Sequence, residues 1–367
     1  MSRIVIVGGG PDVSQELLEV LLSRGHELAA IRVLDDESQA GAYIELDAGR
    51  TRVDPATPAN LAGADAAVFL GDGLLARDLV AEAIAAGALV IDATPYSRRV
   101  KHAPLVVPEI NPEAIGAIGG ERLVACPTPA AVGLAVALGP LREAAAVRRV
   151  VTTVFEPVSQ RGREAIEALS RQSVALIQGQ PIDRSELPEQ LAFNLRPQAA
   201  SREGNGWAFD ERVLADEVGA LFGEPRIDVA ATFVRAPVFF GMTQSVYVEL
   251  GRPLASDDLE QIVRAGRGLL LAGSLGEAEP PVAAPALDGE EDDDDDEASG
   301  DVDPAYDLEV GPVEVSGSDA VHVSRLRVDP QREGGVAFWI AFDNVRKGVV
   351  LNAAMTLEIA LRDLLSN

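Results

Sequence analysis

The 367-residue chain is poor in the residue types that cross-link a fold, ligate metals or bind polyanions. One cysteine, Cys126, permits no internal disulfide and no thiolate zinc site, which excludes a secreted cystine scaffold and predicts a reducing, cytoplasmic setting. The three histidines, His26, His102 and His322, lie far apart without ligand spacing, so no metal site is expected. Basic residues are scarce: 31 Lys and Arg stand against 58 Asp and Glu, a net charge of −27 that repels phosphate backbones and anionic headgroups. Neither nucleic acid nor a membrane is an expected partner. The uncharged stretch Val124 to Leu141 carries Pro127, Pro129 and Pro140 and reads as buried core rather than a membrane span. The opening MSRIVIVGGGPDV has too few apolar residues for an export signal.

What is present suits a globular chain with at least two cores: 47% hydrophobic and 24% charged residues. RIVIVG reads as a strand, GGPDVSQ as a turn and ELLEVLLSRG as a helix closed by glycine. LAAIRVL, DAAVFLG, the helix LLARDLVAEAIAAG and ALVIDA continue the alternation without hairpin punctuation, which predicts a parallel, doubly wound α/β sheet. Beyond about Val147 long strand candidates dominate, with GREAIEALSRQSVALIQG and DERVLADEVGALFG as helices, which predicts an α+β domain. The closing VRKGVVLNAAMTLEIALRDLL reads as a helix that packs on another domain, so the chain is expected to end against its own beginning. Asp288 to Asp303 holds eleven acidic residues and no basic ones. It reads as a disordered, solvated insertion, with a binding tail for a basic partner or cation as the alternative.

Four phrases carry a resemblance: PLVVPEINPEAI (Pro104 to Ile115), LVACPTPAAVGL around Cys126, VRAPVFFGMTQS (Val234 to Ser245) and DNVRKGVVLNA (Asp343 to Ala353). In order and spacing the chain resembles aspartate-semialdehyde dehydrogenase, the NADP-dependent enzyme that reductively dephosphorylates aspartyl phosphate, over nearly its whole length. The resemblance implies a Rossmann-like dinucleotide-binding domain over 1–130 completed by 345–367. It also implies an α+β substrate and dimerisation domain over 131–344, and a homodimer.

Family chemistry requires a cysteine thiolate at a helix N-terminus and a histidine that moves protons. The matching phrases place Pro129 at the nucleophile's position and Met242 at the histidine's, while Glu156 falls where a glutamine orients the acyl intermediate. Proline has no nucleophilic atom but suits the first turn of a helix, and a thioether carries no proton near neutral pH. A carboxylate at 156 would oppose a developing oxyanion. Cys126, three residues before Pro129, is either a displaced nucleophile or a buried inert thiol, and its place at a strand end favours the latter.

The resemblance assigns substrate contacts to Arg98, Glu217 and Arg235, which would meet the phosphate, amino group and carboxylate of an amino-acid substrate, or alternatively form ion pairs at a domain seam. Ala220 replaces a phosphate-holding lysine, which weakens the electrostatic case for an acyl phosphate and leaves a small carboxylate open as a ligand. In the first loop Gly8, Gly9 and Gly10 allow close backbone approach, but Pro11 and Ser14 stand at the later glycine positions of the phosphate-binding motif. Asp35, Asp36 and Glu37 would repel a 2′-phosphate, so no cofactor is secure and NAD fits better than NADP. Asn344 matches a residue near the nicotinamide and, like Asp343, is also a capping type.

The expectation is therefore a dehydrogenase-fold protein without the activity, closest to the Usg-type paralogues that lack the catalytic cysteine and histidine, acting as a dimeric binding or interaction protein. Two alternatives stand beside it. One is a working NAD(P)-dependent aldehyde oxidoreductase of amino-acid biosynthesis; the other is a partner that pairs with a true family enzyme through the shared dimer surface.

Overall fold

A strand buried on both faces needs an unbroken apolar run, and Ile4–Gly8 (β1), with every residue buried, supplies it. The computed structural model describes residues 2–100, 102–184, 189–197, 206–223, 225–272 and 309–366. Around β1 lie Ile31–Asp35 (β2), Tyr43–Leu46 (β3), Gly49–Pro55 (β4), Ala66–Leu70 (β5), Leu89–Asp92 (β6) and Leu123–Ala125 (β7), in the order β3-β4-β2-β1-β5-β6-β7. All neighbours are parallel except β3 and β4, which form an antiparallel hairpin.

That hairpin corrects the expectation of alternation without hairpins. Its strands are half exposed and rich in Arg and Glu at the sheet edge, so they lack the apolar run that marks the central strands. The segment read as the strand LAAIRVL also starts later: Leu28–Ala30 is a 3₁₀ turn and β2 begins at Ile31.

Helices cover both faces of this sheet. Gly10–Ser23 (α1) turns Leu17, Leu18 and Leu21 onto one face, where Ile4, Ile6 and Val68 meet them. The short Pro58–Leu61 (α2) and Leu74–Ala85 (α3) pack Leu61, Leu79 and Val80 on the other, against Val5, Val7 and Phe69.

Pro129–Ala145 (α4) crosses to the second layer and is buried nearly all round, as its uncharged sequence through Leu141 requires. It lies under a mixed sheet of Val147–Glu156 (β8), Arg196–Pro197 (β9), Asp228–Arg235 (β10), Met242–Leu250 (β11), Leu269–Leu271 (β12), Val321–Val328 (β13) and Gly335–Phe342 (β14). Their order is β12-β13-β14-β11-β8-β10-β9. Gly133 lets α4 approach β14 so closely that a Cβ there would stand 2.2 Å from the Phe342 ring. Arg163–Ile177 (α5) and Phe209–Phe222 (α6) are the two helices expected in this part, and Ser256–Arg264 (α7) is a third that the sequence reading missed. The opposite sheet face leaves Val151 exposed and Phe155, Tyr247 and Trp339 half-buried, with the Phe155 and Trp339 rings 5.5 Å apart.

Arg346–Leu351 is wound as a π-helix and runs into Asn352–Ser366 (α8). Ala353, Ala354, Leu357 and Ala360 of α8 complete the core of the first sheet beside α1. The acidic stretch Asp288 to Asp303 lies outside the described residues. Among the described residues no helix is long and apolar enough to cross a membrane, and no cluster of three or more His, Cys, Asp or Glu could hold a metal ion.

Candidate functional site

A cleft of about 550 Å³ runs between the two sheets, and Gly9, Arg98, Pro129, Glu156, Met242 and Asn344 all line it. These residues come from distant parts of the chain, and strand ends and helix starts deliver them together. Pro129 is the first residue of α4, behind the N-cap Thr128, whose hydroxyl accepts from the Ala131 amide at 3.3 Å. Met242 is the first residue of β11 and only 1% exposed. Glu156 ends β8, and burial, reinforced by nearby Asp210, pushes its carboxyl up to about 7 against the opposing pull of Arg235 and Arg161.

Arg98 and Glu217 are engaged within the protein. Buried Asp92, at the end of β6, accepts from the Thr94 and Ser97 amides and so fixes the loop that presents Arg98. The Arg98 guanidinium donates to the carbonyls of Cys126 and Ala93 at 2.9 and 3.0 Å, and its Nε stands 3.9 Å from Glu217 Oε1. Glu217 Oε2 accepts from both the amide and the hydroxyl of Thr128, at 2.9 and 2.6 Å. Its Oε1 is buried without a hydrogen-bond partner, and burial raises the carboxyl's pKa despite Arg98 and Thr128.

Arg235, at the end of β10, does not line the cleft itself. It donates from Nη1 to Glu189 Oε1 at 2.6 Å, and Arg161, which does line the cleft, donates to the same oxygen at 2.5 Å. Neither Glu189 nor Arg161 was marked by the sequence reading. They lie 28 residues apart, and Glu189 is 46 residues from Arg235, so no local spacing announces them. Ala220 is an exposed residue of α6.

The sulfur of Cys126 is not poised for chemistry. The residue is 1% exposed, follows β7, and burial pushes its thiol up to about 12, so almost none is thiolate at neutral pH. His26 faces Glu358, 3.4 Å away, while His322 Nε2 shares a hydrogen bond with the Ser318 hydroxyl. His102 is exposed in a turn.

A second cleft, also about 550 Å³, shares Gly9, Val13, Ser159, Gly162 and Val345 with the first and continues along the N-terminus of α1. Gly8, Gly9 and Gly10 all have positive φ, and side chains at Gly8 or Gly9 would collide with Leu70. Ser14 fills the last position of the loop motif by donating from its hydroxyl to the Gly8 carbonyl at 2.9 Å. Two positions of this turn offer a pyrophosphate no free amide: Gly10 N donates to Asp35 Oδ2 at 3.0 Å, and Pro11 has none. Asp12 and Glu16 line this cleft, Arg346 is paired with Glu16 and Asp319, and Arg163 lies 3.9 Å from Asp12. The residues present fit a dinucleotide poorly, and a 2′-phosphate least of all, because Asp35 and Asp36 occupy the end of β2.

Asn344 does not cap the last helix. The capping is done by Asp343 at the turn into the π-helix Arg346–Leu351, where it accepts from the amides of Val345 and Arg346 through Oδ1 and from Gly317 through Oδ2. Asn344 instead clasps the cleft, accepting from Gly241 N at 3.0 Å and donating to the Ser159 hydroxyl at 3.0 Å.

Comparison with known proteins gives this geometry a family. The NAD-binding domain of the semialdehyde dehydrogenases matches residues 3–118, and their dimerisation domain matches 138–290. Aspartate-semialdehyde dehydrogenase 2 of Vibrio cholerae is 30% identical over 362 residues, with 98% of each chain covered. The aspartate-semialdehyde dehydrogenase of Shewanella sp. is 29% identical over 361 residues, again with 98% of each covered. The crystal structure of aspartate semialdehyde dehydrogenase II from Vibrio cholerae superposes with a TM-score of 0.84 at 28% identity, covering 99% of both chains.

Proposed function

We propose that this chain, which belongs to the aspartate-semialdehyde dehydrogenase family, keeps the family's two-domain α/β fold as a non-catalytic, dimeric binding protein for a small carboxylate. The observation that carries the reading is the pairing of Pro129 with Met242 on one cleft, at the start of α4 and the start of β11. A helix N-terminus facing a cleft is where a thiol would be activated, and the residue there has neither a nucleophilic atom nor an amide proton. The Met242 thioether on the same cleft cannot take up or release the proton that acyl and hydride transfer require. In this reading the chain stands with the Usg-type paralogues.

Several further features support it. Buried Cys126, with a thiol near 12, offers no substitute nucleophile. Arg98 lines the cleft, and it is held by the Cys126 and Ala93 carbonyls, while Glu217, which is not among the lining residues, is held by Thr128 and lies 3.9 Å from Arg98. The half-buried aromatic face of the second sheet, around Phe155 and Trp339, is the surface on which we place a second copy of the chain or a catalytically complete relative. A dinucleotide plays no part in the reading, and if one is taken up NAD is expected over NADP.

The alternative is an active aldehyde oxidoreductase, which the names borne by the relatives favour. A coupled assay decides between them. Purified full-length chain is expected to give no phosphate-dependent, NADP- or NAD-coupled oxidation of aspartate semialdehyde above a protein-free control. Turnover that a Cys126→Ala substitution abolishes would establish the enzyme instead.

A further inference from the structure

We propose that Glu189 is a built-in occupant of a carboxylate clamp formed by Arg161 and Arg235, and that it determines which small acids the cleft accepts. Two guanidiniums from different elements converge on one oxygen of its carboxylate, at 2.5 and 2.6 Å, which is the geometry of an arginine pair holding an acid ligand. The Arg235–Glu189 contact is largely withdrawn from water, with side chains 15% and 17% exposed, whereas Arg161 is 34% exposed. Arg235 Nε is buried and has no hydrogen-bond partner, so this guanidinium retains a donor for a further acceptor. Arg161 lines the cleft, so the clamp adjoins the space open to a ligand.

The turn that presents Glu189 is anchored. Gln172 of α5, itself 2% exposed, donates to the Glu189 carbonyl at 3.1 Å and accepts from the amides of Leu191 and Ala192 at 2.8 and 3.2 Å. Leu191 and Ala192 are buried against Val158, Ala165 and Leu169. The carboxylate is thus delivered to the arginines from a fixed position.

Charge explains what this occupant does. Arg161 and Arg235 already act on Glu156, and Arg235 on Asp210, in addition to holding Glu189. An incoming carboxylate would place a fourth acid against two cations, so it must compete with Glu189 for the guanidiniums. The intact chain therefore takes small acids weakly, and removing the charge at 189 frees both arginines. This rests on the reading of the cleft as a small-carboxylate site.

The test is isothermal titration of succinate into the full-length chain, Glu189→Gln and the Glu189→Gln/Arg235→Gln double variant, at pH 7.5 and fixed salt. A competing charged hydrogen bond is worth enough that Glu189→Gln should bind at least about tenfold more tightly than the parent. The double variant should lose that gain. Equal affinities in parent and Glu189→Gln, or a gain that survives loss of Arg235, overturn the clamp while leaving the small-acid reading in place; no heat from either protein overturns both. Glu189→Asp, one methylene shorter and still charged, guards against a folding defect: it should bind with intermediate affinity, and affinity equal to the parent's counts against the clamp. The turnover assay reports on catalysis independently of these outcomes.

Discussion

Replacing Glu156 by glutamine restores the residue type that the family resemblance assigns to this position, and the structure gives the energetic consequence a size and a sign. Burial raises the folded-state pKa from 4.5 to about 7. Below pH 4.5 the carboxyl is protonated in both folded and unfolded chains, and it costs nothing beyond what glutamine would. Between 4.5 and 7 the unfolded chain releases the proton while the folded chain keeps it, so stability falls as pH rises; above 7 the full cost applies. At 1.36 kcal/mol per pH unit, that cost is about 3 kcal/mol. Glu156→Gln should therefore match the parent in urea denaturation at pH 4.5 and exceed it by about 3 kcal/mol at pH 8, at equal protein concentration. A gap that does not change with pH, or a parent more stable at pH 8, would refute the argument that this carboxylate is ionised at a loss.

Three other measurements probe the frame around the cleft. Gly133→Ala adds a methyl 2.2 Å from the Phe342 ring, and overpacking of about 1–3 kcal/mol should outweigh the roughly 1 kcal/mol gained in helix propensity, lowering the unfolding midpoint. Lys347→Met leaves Glu109 charged and nearly buried without its partner, at a cost of about 3–5 kcal/mol, and Glu109→Gln in the same chain should recover part of it. Cys126 should resist Ellman's reagent in the native chain at pH 8 and react fully in guanidinium; prompt native reactivity would contradict its burial and high pKa.

The first sheet was legible because its central strands are buried on both sides and carry continuous apolar runs such as IVIVG and AAVFL, bracketed by helices with leucine spacing. The edge hairpin was not, since Glu45, Arg50 and Arg52 face solvent and only Ile44 and Val53 are buried, too few apolar residues to mark two strands. At the cleft, Pro129, Met242 and Glu156 could be placed from flanking phrases because each ends or begins a regular element. Glu189 could not, for it sits in a turn whose only logic is a long-range one: Gln172 on α5 and two arginines from elsewhere in the chain. Asp343 and Asn344 illustrate a finer limit. Both are capping residues by type, and only the position of Gly241 and Ser159 decides that the first caps and the second bridges.

The placement of α8 has a consequence for biosynthesis. Leu357 and its neighbouring alanines are the last large contribution to the core beneath β1, β5 and β6, yet more than two hundred residues are translated between β7 and α8. On the ribosome the first layer must wait with that apolar underside uncovered while the second is made, a long-range dependence that slows folding and exposes the nascent chain to aggregation. Pulse-chase capture of chains stopped just before residue 352 should find the amino-terminal layer protease-sensitive, and extension through residue 366 should protect it.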